Sequence, residues 1–178
     1  LALPPHGMLG VHPSLLPKYR GAAPVAWALL HGETATGVTI FRLNERLDAG
    51  DLVLQRRVAI EPHEDAQALT SRLAQAGAQA LVEALAAIAE GRVRFEPQDE
   101  SQASLAPKLT KAQGRIDWDA PADAIERLVR ATIPWPGAST TWRDIPLKVW
   151  RAAVVAEEPR QAPPGTVVQA GPGGVGVA

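Results

Sequence analysis

The stretch EDAQALTSRLAQAGAQALVEALAAIAEG, residues 64–91, sets the strongest limit on what this chain can become. Leu69, Leu73, Ala76, Ala80, Ala84 and Ile88 recur at helical spacing. Pro62 precedes the run and Gly91 follows it as a stop, so one long helix is expected. Its apolar stripe needs a surface to lie on. Two β-prone runs come just before it, TGVTIFRL (36–43) and DLVLQRRVAI (51–60). In the second, Leu52, Leu54, Val58 and Ile60 share one face, interrupted only by Arg56. The connection NERLDAG is polar, contains Gly50 and is short enough to close a hairpin. Further upstream, the apolar residues 8–11 read as a short buried strand ending at His12. Pro24 with VAWALL, followed by Gly32, reads as a short helix opened by proline and stopped by glycine.

The pattern changes after this. QDESQASLAPKLTKAQG (98–114) has no apolar period and reads as a linker. PADAIERLVRA (121–131) makes a helix with Pro121 in its first turn and Asp119 as its cap, and PWPG (134–137) makes a turn. Short β-prone pieces then follow: ASTTW, PLKVWRAAVV, GTVVQ and GVGVA. Alternating helices and strands that give way to short strands predict an α/β unit followed by a small β-barrel, divided as residues 1–103 and 104–178. The opening LALPPHG offers no element ahead of the first strand, and the last residues stop inside a strand-like piece. A parallel sheet would therefore lack its first strands, and the chain is expected to be an interior fragment.

Composition narrows the chemistry. With no cysteine, disulfides, thiol nucleophiles and thiolate metal sites are excluded. The histidines His6, His12, His31 and His63 show no metal-ligand spacing, so no metal is expected. The longest apolar stretch, AAPVAWALL, is far shorter than the roughly 20 residues of a membrane span, which predicts a cytoplasmic protein with no membrane partner. Residues 1–103 carry 9 Lys and Arg against 12 Asp and Glu, a balance of −3; residues 104–178 carry 9 against 7, a balance of +2. The basic bias of the second unit permits contact with phosphates without demanding it.

Two residues stand out as chemistry-bearing. His12 ends a strand, where the ligand crevice of an open α/β sheet lies, although position alone equally admits a core histidine. Asp48 lies in LDAGD, where an aspartate before glycine is also ordinary turn chemistry. Taken together they read differently. A carboxylate beside an imidazole fixes its tautomer and makes a proton-transfer pair that works near neutral pH.

HPSLLPKYRGAAP, followed by GETATGVTIFRLNERLDAGD, resembles the signature region of the folate-dependent formyltransferases. GAAP with TGVTI is similar to the branch that formylates methionyl-tRNA. APKLTKAQGRIDW and RATIPWPGA with PLKVW resemble the linker and carboxy-terminal domain of that branch, so the likeness runs over nearly the entire chain. It implies a doubly wound catalytic domain, here partial, and a small OB-like barrel, here incomplete. It further implies transfer of a formyl group from 10-formyltetrahydrofolate to the amino group of initiator methionyl-tRNA, by a monomer. His12 and Asp48 match two of the family's three catalytic positions, and Ser14, Leu15, Leu16 and Pro17 match one wall of its folate site. For Leu15 and Leu16, core packing is the plainer reading, and both roles are compatible. Arg20 is expected to face the anionic substrate, and Arg42, Arg46 and Asp51 to be solvated charges. The third catalytic position is an asparagine in the family and Gly10 here. Its amide would bind the developing oxyanion, a contribution of about 10²- to 10³-fold in rate. A glycine at positive φ would resist replacement by asparagine. Two other readings stand beside this one: a formyltransferase acting on an amino sugar nucleotide, and an impaired homologue that binds folate or RNA.

Overall fold

The computed structural model describes residue 4, residues 7–155 and residues 162–178. His6 and most of the LALPPHG opening lie outside the described residues. Three strands, β1 (Leu9–His12), β2 (Ala35–Arg42) and β3 (Leu52–Ala59), form one sheet in that order. Both pairings are antiparallel, with Gly10 opposite Phe41 and His12 opposite Thr39. No two of the described strands thus make the parallel ladder of a doubly wound sheet. Helix α1 (Pro24–Leu30) lies in the connection from β1 to β2, and the chain returns antiparallel beside β1. The β2 and β3 hairpin forms as expected, with a register shift between Ile40 and Phe41.

Helix α2 (Ala66–Ala89) lies across this sheet. Asp65 caps it by accepting the Ala68 N–H at 2.8 Å, and Gly91 follows its C-cap at φ 65, the left-handed conformation that ends helices. Leu69, Leu73, Ala80 and Ala84 bury their side chains against Val38 and Ile40 of β2 and Val25 and Leu29 of α1. Gly77, not the expected Ala76, is buried on the stripe, and Ala76 and Ile88 flank it. Truncation of a core leucine such as Leu69 costs about 2–5 kcal/mol.

Helix α3 (Ala122–Ala131) packs on α1. Pro121 itself occupies its N-cap and no side chain caps it, so Asp119 is not the cap; Asp119 instead turns back, its N–H donating to Asp117 Oδ1 at 3.1 Å. Strands β4 (Ala138–Trp142) and β5 (Ile145–Val149) pair as one hairpin, and β6 (Val167–Gly171) and β7 (Gly174–Val177) as another. Among the described residues these remain two separate two-stranded sheets and no closed barrel forms. Each hairpin needs only local pairing, whereas closure would require β5 and β6 to meet across residues 150–166. A second small core gathers Ile116, Val129 and Ala138. No described helix is long and apolar enough to cross a membrane.

Candidate functional site

The segment 13–23 leaves β1 at His12 and is tied back by its own neighbours. Ser14 Oγ donates to the Lys18 carbonyl at 2.6 Å. Thr39 Oγ1 donates to the Ser14 carbonyl at 2.6 Å and accepts the Leu16 N–H at 3.0 Å. Gln55 Nε2 donates to the Leu16 carbonyl at 2.7 Å and to Thr39 Oγ1 at 2.9 Å. The ends of this network sit on β2 and β3, so the sheet sets the shape of the loop. Leu15 and Pro17 remain half-buried, with apolar surface to offer a ligand. Ser14 and Leu16 are buried, at 0% and 2% exposure. The Ser14 hydroxyl is already engaged, and the half-buried Leu15 side chain lies over Gly37 of β2.

The turn carrying Asp48 is held just as closely. Gly50 lies where an added Cβ would sit 1.6 Å from the Arg42 carbonyl oxygen, so only glycine allows this approach. Asp48 adopts φ 47, in the left-handed region that aspartate tolerates better than most residues. Its Oδ2 accepts the Gly21 N–H at 2.8 Å, and it stands 3.7 Å from His12 Nδ1. At 3.7 Å the pair is beyond hydrogen-bond range but in close approach in a mostly buried setting.

The tautomer of His12 is fixed by a group that sequence reasoning did not find. His12 Nε2 lies 2.8 Å from the Tyr19 carbonyl oxygen. A carbonyl only accepts, so Nε2 carries a proton and Nδ1 is the atom turned to Asp48. The Tyr19 ring reaches the other way, its hydroxyl donating to Glu33 at 2.9 Å. Burial, then the hydrogen bond and charge of Glu33, push the phenol above its ordinary value. Tyr19 is thus a neutral structural group at physiological pH.

Arg20 does not face a substrate. It is 6% exposed, and its guanidinium binds Gln98 Oε1 and the Glu100 carboxylate. Arg46 also pairs with Glu100, at 2.9 Å, and Arg42 lies over the Phe95 ring at 4.9 Å. Gly10 is extended, not at positive φ. What occupies its side-chain space is the Phe41 ring, whose Cε1 would lie 2.5 Å from an added Cβ. A groove of about 570 Å³ runs between β3, the end of α2 and residues 92–96, and contains none of the predicted site residues. Among the described residues, no group of three or more His, Asp or Glu could hold a metal ion.

Residues 1–85 match the family described as formyl transferase, and residues 108–178 match the formyl transferase C-terminal domain. The chain is 49% identical over 170 residues to a methionyl-tRNA formyltransferase of Solibacter usitatus, covering 96% of this chain and 54% of that protein. It is 46% identical over 173 residues to one from Roseiflexus sp., covering 97% and 53%. The chain therefore spans about half the length of the curated relatives it matches. Among solved structures, HypX from Aquifex aeolicus in complex with tetrahydrofolic acid superposes with a TM-score of 0.72 at 27% identity, over 89% of this chain and 28% of that one. With both family matches in sequence order and the His12 and Asp48 positions brought together in space, the chain belongs to the formyl transferase family.

Proposed function

We propose that the protein transfers a formyl group from 10-formyltetrahydrofolate to the amino group of initiator methionyl-tRNA, as a cytoplasmic monomer. The observation that carries this reading is the approach of His12 Nδ1 to Asp48 Oδ2 at 3.7 Å, from two elements joined only through the fold. Residues 1–103 supply the catalytic unit and residues 104–178 the unit that meets RNA. Identity of 46–49% to curated methionyl-tRNA formyltransferases over nearly all of this chain favours this acceptor over an amino sugar nucleotide.

The folate supplies the formyl carbon. The half-buried apolar faces of Leu15 and Pro17, set by Ser14 and Leu16, suit one side of a flat ring system beside His12. His12 Nδ1, which carries no proton in this tautomer, takes the amine's proton as the amine adds; the N–H so formed donates to the oxygen that has become negative and then delivers the proton to the departing folate nitrogen as its bond to the formyl carbon breaks, through water where the span requires it. Asp48 stands beside the imidazole nitrogen through which that proton moves. Gly10 offers no side-chain amide to share the work. The test is an assay of the full-length protein with 10-formyltetrahydrofolate and, separately, initiator methionyl-tRNA and amino sugar nucleotides. Formylation of the tRNA is expected, and loss of it on His12→Ala; formylation of the sugar alone would overturn the acceptor, and formylation of neither would overturn the activity.

A further inference from the structure

The two halves of the pair are anchored to one short segment that neither family match covers. The matches end at residue 85 and resume at residue 108, and Gln98 and Ser104 lie between. Gln98 is 8% exposed. Its Nε2 donates to the carbonyl oxygens of Asp48 at 2.9 Å and Gly50 at 2.7 Å. Its Oε1 accepts from Arg20 Nε at 3.0 Å and Nη2 at 2.6 Å. Both donors and both lone pairs of the amide are therefore engaged. Ser104 does the same for the other half. Its hydroxyl accepts the Tyr19 N–H at 2.9 Å, its carbonyl accepts the Arg20 N–H at 2.8 Å, and its own N–H donates to the Pro17 carbonyl at 3.2 Å. The Tyr19 carbonyl is the group that orients His12.

We infer that residues 98–106 act as a strap that sets the distance between His12 and Asp48, with Gln98 as the positioning residue for Asp48. This rests on the reading of those two residues as the catalytic pair. The turn at 42–47 is exposed and Asp48 holds an unfavourable left-handed φ. Such a turn keeps one geometry only if something outside it fixes its backbone. Gln98 fixes it at two carbonyls, and through Arg20 it joins the turn to the loop that carries the acceptor for His12. The asparagine-like chemistry of an amide is required, because only an amide can donate twice to carbonyls while accepting from a guanidinium.

The experiment uses the full-length enzyme with Gln98→Ala and Gln98→Glu. The second keeps the volume and the acceptor for Arg20 but sets a carboxylate oxygen against the Asp48 and Gly50 carbonyls, so it breaks the link to the turn without opening a cavity, and thermal melting confirms that each variant is folded before it is assayed. Single-turnover formyl transfer should slow about 10²-fold, as expected for a small misplacement of reacting groups, with the KM for the folate changed far less. On an Asp48→Asn background the same Gln98 change should cost nothing more, because it acts through Asp48. Full multiplication of the two losses would mean a general structural role and overturn the inference. A crystal structure of Gln98→Glu gives a readout free of activity: the Nδ1 to Oδ2 separation should depart from 3.7 Å, and an unchanged pair would overturn the strap. If the unaltered protein formylates no acceptor, the functional reading fails by itself and that separation alone decides the strap.

Discussion

The space beside His12 that a catalytic amide would need is filled by an aromatic ring. Gly10 and His12 alternate onto the same face of β1, and Phe41, opposite Gly10 on β2, lays its buried ring over the glycine. The obstacle to an asparagine here is thus packing, since Gly10 has ordinary extended backbone. Cross-strand coverage of a glycine by an aromatic residue also repairs the weak spot that glycine makes in a strand. Gly10→Asn alone should therefore destabilise the protein by about 1–3 kcal/mol, the usual cost of overpacking, and bring no gain in formyl-transfer rate. Gly10→Asn with Phe41→Val should make room and raise the rate at saturating substrates, because the added hydrogen bond strengthens as the oxyanion forms. Urea denaturation and single-turnover kinetics on the two variants decide it. A single Gly10→Asn variant that is as stable as the original and faster would show that the ring is no barrier.

At the scale of elements, the strap carries a carboxylate that ties it to acid. Glu100 hydrogen-bonds Arg20, which holds its carboxyl below the usual value against the opposing effect of burial, and Arg46 adds to the lowering. A carboxyl whose folded value is depressed contributes stability that is present above its unfolded value, here 4.5, and is lost as pH falls through the lower folded value. The contribution is small, because Glu100 is half exposed. Glu100→Gln should lower the Tm slightly at pH 6, and the gap to the unaltered protein should close as the pH is brought below 4.5. A gap of constant size across that range would mean that Glu100 does not hold the strap by its charge. Nothing in the sequence announces this element. Gln98 meets Asp48 across 50 residues and Arg20 across 78, and a hydrogen bond over such distances leaves no period, cap or turn signal behind. The same is true of Thr39 and Gln55, whose places in β2 and β3 were legible although their grip on the loop at 14–16 was not. By contrast α2 and the hairpin are governed by neighbours in sequence, through an apolar period and a proline or glycine boundary, and the Asp-Ala-Gly run marks where a turn falls, though not the geometry that Gln98 gives it.

The division of charge over the whole molecule bears on how it would meet RNA. From charge and domain position, Lys108, Lys111, Arg115, Arg130, Lys148 and Arg151 all qualify as phosphate contacts, yet the fold separates them. Arg130 is bound to Glu126 at 2.7 Å and to the Glu64 carbonyl at 2.8 Å. Lys148 donates to the carbonyls of Pro136 at 2.6 Å and Gly137 at 3.0 Å. Lys148 thus braces the second unit, and Arg130 ties α3 to the chain ahead of α2. Lys148 is exposed all the same, as are Lys108, Lys111, Arg115 and Arg151; Lys108 and Lys111 follow directly on the strap, so RNA held there would lie on the chain that sets the catalytic pair. The composition shows the positive bias, but only the hydrogen bonds reveal which charges are already engaged. Binding of initiator tRNA to the full-length protein should weaken steeply with salt. Replacing Lys108, Lys111, Arg115 and Arg151 by Gln should flatten the log–log slope by about one for each lost phosphate contact. Arg130→Gln and Lys148→Gln should leave the slope unchanged while lowering the Tm. Affinity measured from low to high salt for the two sets separates the cases. A slope that falls with the second set and not the first, or binding indifferent to salt, would remove the exposed cations from RNA recognition and place the contact elsewhere on the molecule.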